Sequence, residues 1–150
     1  MKLKTADTLF IAWMRRHGLT VLRFAIGIVF VWFGILKVLG VSPVAELVER
    51  TYSFFPQPGF IIFLGLWEIA IGLGLIFHIA LRVVLALLWL QMFGTFAALF
   101  FDPSTFFTHS NIFLLTTEGE FVIKNLVFIA ASIVLGGYEV DQSLSHGNET

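Results

Sequence analysis

Four stretches of about twenty predominantly apolar residues dominate this chain, near Leu19–Gly40, Gly59–Ile79, Leu81–Phe101 and Gly119–Gly137. As a helix rising 1.5 Å per residue, each is long enough to cross the roughly 30 Å hydrocarbon core of a bilayer. Helices are the expected form, because their backbone hydrogen bonds close within each segment and lipid offers none in exchange. A β-barrel needs many short alternating strands, and no such pattern is present. At 58% hydrophobic residues, 13% charged and a mean hydropathy of +0.93, 150 residues have too little interior to hide their apolar surface from water. The sequence therefore predicts an all-α, polytopic membrane protein, a four-transmembrane-helix bundle with short interfacial helices and the lipid bilayer as its main partner.

Residues 1–18 are expected to form an interfacial segment, 19–137 the transmembrane domain, and 138–150 a polar tail. In the first of these, Leu9, Phe10, Trp13 and Met14 form a lipid-facing side, Arg15 and Arg16 reach toward headgroups, and Gly18 ends the helix. Lys2, Lys4, Arg15, Arg16, Arg23 and Arg82 gather on one side of the membrane, against Arg50 and a marginal Lys37 on the other. By the positive-inside rule, both termini are then cytoplasmic.

The loops carry their own signals. Ser42-Pro43 reads as a hydroxyl-capped helix start, leading to a short surface helix that ends near Arg50. A rigid aromatic turn, Phe54 to Gly59, follows it into the second crossing. Phe54, Phe55, Phe106 and Phe107 are expected chiefly as interfacial anchors, with the lining of a cavity as their second reading. The connection from His78 to Arg82 is so short that the second and third crossings must be antiparallel neighbours. The glycosylation-like Asn148-Glu149-Thr150 falls in the cytoplasmic tail and is set aside.

Composition excludes several functions. A net charge of -1 without a Lys/Arg run gives no nucleic-acid footprint. The absence of cysteine removes disulfides, thiolate metal sites and catalytic dithiols. No two histidines face each other at mid-membrane as a bis-histidine haem requires. Asp102, His109, Glu118 and Glu120 match no metal signature, so neither haem nor metal is expected.

Charge inside an apolar span is costly unless it is paired or hydrated, which makes Lys37, Glu68, Glu120 and Lys124 functional candidates. Arg23, Gly27, Gly34 and Lys37 share one side of the first crossing, and Gly65, Glu68 and Gly72 share one face of the second. Glycines beside a charge point to a face turned toward another helix. Gln91, Thr95 and Ala98 align on the third crossing, and Glu120 precedes Lys124 by four on the fourth, the favourable order for an ion pair. Glu68 lies about nine residues, roughly 13 Å, from the start of its helix. The expectation is a cluster of Glu68, Lys124 and Lys37, with Glu120, Asn125 and Gln91 around it. Glu68 and Lys124 are the catalytic candidates, and Lys37, Gln91, Glu120, Asn125 and Arg23 the ligand-binding ones. Arg23 has a second reading, a snorkelling side chain at the membrane edge, and the whole cluster has a purely structural one.

Three patterns resemble a known family. Arg23-xxx-Gly27-xxxxxx-Gly34-xx-Lys37, Glu68-xxx-Gly72-x-Gly74 and Glu120-Phe121-Val122-Ile123-Lys124-Asn125 occur in the order found in the DoxX-like family of small bacterial membrane proteins, over roughly Leu22 to Gly137. The resemblance implies a four-helix bundle in the bacterial inner membrane and a link to redox biology, since relatives include the membrane subunit of a thiosulfate:quinone oxidoreductase. On that basis the expected function is binding of a quinone-like or small apolar ligand, with quinone as the cofactor. The chain would serve as the membrane subunit of a quinone-linked oxidoreductase, beside a partner subunit or a second copy of itself. The competing expectations are a small transporter or proton-coupled permease, and a non-catalytic assembly partner of another membrane protein.

Overall fold

A computed structural model describes residues 2–108, 111 and 113–140. The elements are α1 (Lys2–Val38), α2 (Ala45–Thr51), α3 (Gly59–Ile76), α4 (Leu81–Phe101), α5 (Pro103–Phe106), α6 (Thr117–Ile123) and α7 (Leu126–Leu135), closed by a π-type turn at Gly136–Val140. Four helical spans, Ala6–Val38, Gly59–Ile76, Leu81–Phe101 and Thr117–Tyr138, are long and apolar enough to cross a membrane. The chain is an all-α membrane protein. The large apolar side chains on its outside, Trp32, Phe93 and Val127 among them, suit lipid as the surrounding solvent.

Gly18 does not end the first helix, contrary to the sequence reading, and α1 runs through it without interruption. A mid-helix glycine costs only about 1 kcal/mol, and nothing after Gly18 competes for the backbone. The helix stops instead at Gly40, whose φ of +70° lets Gly40 N–H donate to Lys37 O (3.1 Å) and Val41 N–H to Leu36 O (3.0 Å). These two hydrogen bonds form the Schellman stop, and they fix Lys37 on the last turn. The surface helix exists, but Ser42 does not cap it. The helix begins at Ala45 after an uncapped Val44, and Ser42 contributes only its carbonyl, to Ala45 N–H. Thr116 is the working hydroxyl cap, accepting from Gly119 N–H at 3.1 Å while donating to Thr105 O.

The α1–α3 seam follows from glycine spacing. Gly27 and Gly34 are two turns apart on α1, as are Gly65 and Gly72 on antiparallel α3. A Cβ added at Gly34 would sit 2.5 Å from Gly65 O, and one added at Gly72 would sit 2.6 Å from Gly27 O. Backbone therefore meets backbone along this seam, the close approach that small residues allow between membrane helices. The tight α3–α4 turn makes those helices antiparallel neighbours as expected, with His78 and Ala80 in left-handed conformations. Both α3 and α7 pack against α1 and α4, so α3 and α7 lie across the bundle from each other. Ile71, Leu75, Leu88 and Leu135 fill the core away from α2. Trp89 Nε1 donates to Ser132 Oγ at 2.8 Å, tying α4 to α7.

Candidate functional site

At the α2 end the helices diverge around a cavity of about 530 Å3, bounded by α1, α3, α4, the α6–α7 joint and α2. Its wall is mostly aromatic and aliphatic, with Phe30, Phe33, Phe60, Trp67 and Phe128 among the contributors. Its two charged side chains, Lys37 and Glu68, belong to one polar cluster. Lys37 Nζ donates to Glu68 Oε2 at 2.6 Å, and Gln91 Nε2 donates to Glu68 Oε1 at 2.9 Å. Lys37 and Glu68 are only 6% and 7% exposed, so the pair lies within the protein and its charges cancel locally. The Lys37, Glu68 and Gln91 grouping expected from helical spacing is thus brought together, and Thr95 and Ala98 line the same cavity.

Lys124 and Glu120 are not part of it. They form the expected i, i+4 pair at 3.8 Å, but on the outside of the bundle, with side chains 75% and 61% exposed. Phe121, Val122, Asn125 and Phe128 make up the cavity-facing side of the fourth crossing. Lys124 is not among the lining residues, and its exposed side chain leaves the bundle beside that side rather than within it. Asn125 does line the cavity and is buried.

Arg23 is also elsewhere. Its Nη1 donates to Leu75 O at 2.7 Å and Ile76 O at 3.3 Å, the carbonyls that end α3. Fourteen residues separate it from Lys37, roughly 21 Å along α1. Arg23 neither snorkels nor reaches the cavity; it closes the C-terminus of α3, where a cation is favoured.

Of the four loop phenylalanines, Phe55 and Phe106 line the cavity; Phe54 and Phe107 are not among its lining residues. His109, the tail from Asp141 and the Asn148–Thr150 sequence lie outside the described residues, and no group of three metal-ligating side chains occurs among the described ones.

The sequence reading missed the cover. Tyr52 leaves the end of α2, packs its ring near Phe54, Phe60 and Phe101 (5.8–5.9 Å), and donates its hydroxyl to Gly94 O at 2.5 Å. Burial pushes the Tyr52 phenol above its ordinary pKa. Arg50 Nε meets Asp102 Oδ2 at 3.4 Å, a second tie between α2 and the end of α4. Hydroxyl donation from Thr105 and then Ser104, with help from Arg50, holds the Asp102 carboxyl below its ordinary pKa. Gly94 also lines the cavity, and a Cβ there meets no described atom within 4 Å. Its spacing from Gln91 and Thr95 was the available signal.

No family model, curated protein or solved structure matches this chain. Its class therefore rests on its own features: an all-α membrane protein with a large, mostly apolar cavity and one neutralised charged pair in the wall.

Proposed function

We propose that this chain is a DoxX-like protein of the bacterial inner membrane, with both termini cytoplasmic, and that it binds a quinone-like or other small apolar ligand in the α2-end cavity. The observation that carries this reading is the Lys37–Glu68–Gln91 cluster, which holds the only charged side chains, among the described residues, lining a mostly apolar cavity of about 530 Å3. That volume falls in the usual range of small-molecule sites, about 300–1,000 Å3, in which a few polar groups orient a ligand held mainly by apolar contact. Lys37 uses one N–H on Glu68 and has others with which to meet a ligand carbonyl. Glu68 keeps the ammonium in place and neutralises it, so a neutral ligand meets no net charge.

A redox-linked assembly is the natural setting. The chain has no cysteine, so a partner subunit would supply the electron-carrying groups while this protein holds the ligand. A through-membrane pathway has less support, because the cluster sits at one end and Arg23 at the other is engaged with α3 carbonyls.

Titration of the purified protein with decyl-1,4-benzoquinone, followed by tryptophan fluorescence, tests the reading. Saturable quenching is expected for wild type, weaker binding for Glu68→Gln, and none for Gly94→Leu, which fills the cavity. A signal that does not saturate, or that is the same in all three proteins, would sink the proposal.

A further inference from the structure

Helices α3 and α4 lie against each other at their tight turn, where the missing side chain of Gly74 lets Val84 approach. Further along, Trp67 Nε1 of α3 donates to Leu87 O of α4 at 3.4 Å. Beyond that tie the helices part, and Tyr52 spans to Gly94 O from the cover at 2.5 Å. Leu87 and Gly94 are seven residues apart, about 10 Å along α4. Between the two ties, Phe63 of α3 and Leu90 of α4 both line the cavity and yet are 53% and 57% exposed. Side chains that belong at once to the cavity wall and to the outer surface mark an opening, with Phe63 and Leu90 as its lips. Gln91, next to Leu90, reaches across to Glu68, so the polar cluster stands directly inside.

The depth of this opening decides what it meets. Leu90 lies nine residues from the start of α4 and eleven from its end, about 14 and 17 Å. The opening therefore faces acyl chains rather than headgroups or water. The membrane-surface end of the cavity is closed instead. Val44, Leu47, Val48 and Tyr52 roof it, and the Tyr52–Gly94 and Arg50–Asp102 contacts pin the roof to α4.

From this we infer that the α3–α4 gap is a lateral portal through which the cavity exchanges its contents with the bilayer interior. A compound dissolved in lipid enters polar end first toward Gln91 and Glu68, and its hydrocarbon chain lies between Phe63 and Leu90. An apolar chain that moves from lipid into this gap trades one hydrocarbon contact for another, whereas a charged compound must give up water to reach it. The statement about the ligand rests on the cavity being a ligand site as proposed above; the portal itself does not.

The chain has no cysteine, so one introduced thiol reports the route. Ala98 lines the cavity and is buried. Ala98→Cys, reconstituted in phosphatidylcholine vesicles, is labelled with N-cyclohexylmaleimide, which dissolves in lipid, or with a disulfonated stilbene maleimide, which stays in water. Each rate is divided by the rate for the same variant unfolded in dodecyl sulfate. On that scale the lipid-soluble reagent is expected to react roughly tenfold faster than the charged one. Adding Leu90→Trp, which fills the mouth, should slow it roughly tenfold, since packed side chains leave no path. Thr95→Cys replaces Ala98→Cys, and Phe63→Trp replaces Leu90→Trp, where a variant fails to fold. Equal rates for the two reagents would reveal a water route past α2 and overturn the portal. An unchanged rate in the plugged variant, or labelling by neither reagent, overturns it as well. No readout here needs the native ligand, so failure of the decyl-1,4-benzoquinone titration would overturn the ligand site and leave the portal standing.

Discussion

The two sides of the bundle are built on different terms. Along α1–α3, glycines let backbones touch, and an added Cβ at Gly34 or Gly72 would collide with a carbonyl. Across the bundle, α4 and the α6–α7 joint diverge, a Cβ at Gly94 meets open space, and the crossing itself is interrupted at Asn125. Gly34 and Gly72 thus serve contact, whereas Gly94 serves vacancy. The difference teaches that the seam sets position and the far wall sets room. Lys37 and Glu68 belong to the seam helices yet face the cavity, so the rigid side carries the polar cluster and the open side shapes what reaches it.

The largest expected effect comes from the pair that links both regions. Glu68→Leu strands a buried ammonium and should lower stability in detergent by about 3–5 kcal/mol, whereas adding Lys37→Met should recover most of the loss. Chemical unfolding of the single and double variants checks it; a double variant as unstable as the single would show that the pair does more than neutralise itself. Next comes the seam. Gly34→Leu should cost about 3 kcal/mol by overpacking, while Gly18→Ala on the same helix should be neutral or stabilising by up to about 1 kcal/mol. Equal effects at the two glycines in thermal unfolding would erase the distinction between seam and free helix.

On the open side the effects shrink. Tyr52→Phe removes one hydrogen bond to Gly94 O and should cost about 1 kcal/mol, with faster hydrogen exchange confined to α2 and its junction. Asp102, its pKa depressed, contributes stability that is present above the ordinary aspartate value of about 3.9 and is lost as pH falls through the lowered one. The melting temperature of wild type should therefore drop in that acid window slightly more than that of Asp102→Asn. Smallest of all, Lys124→Met should change stability by less than about 0.5 kcal/mol, because its ion pair is exposed. A large loss there would move Lys124 back toward a buried role.

Much of this comparison was legible before the structure. Apolar length marked the four crossings, because lipid makes length and hydropathy the governing constraints. The seven-residue glycine spacing marked the seam, and the Lys37, Glu68 and Gln91 faces marked the cluster. Lys124 was misplaced because depth and charge were weighed above helical phase; Phe121, Val122, Asn125 and Phe128 define the inward side, and Lys124 lies off it. Arg23 was misplaced because its partners are backbone carbonyls of another helix, which no side-chain pattern reveals. The cover was illegible for a similar reason. The Tyr52 to Gly94 bond depends on how the Phe54–Gly59 turn folds back, a tertiary outcome with no local code.

The central claim is that the space left by the open side holds a small neutral ring compound. The most direct measurement is mass spectrometry of solvent extracts from wild type and Gly94→Leu, each purified gently from native bacterial membranes. The account predicts one such compound, at up to one equivalent per chain, enriched in wild type and missing from the filled variant. Equal amounts in both proteins, or only bulk phospholipid in either, would contradict it.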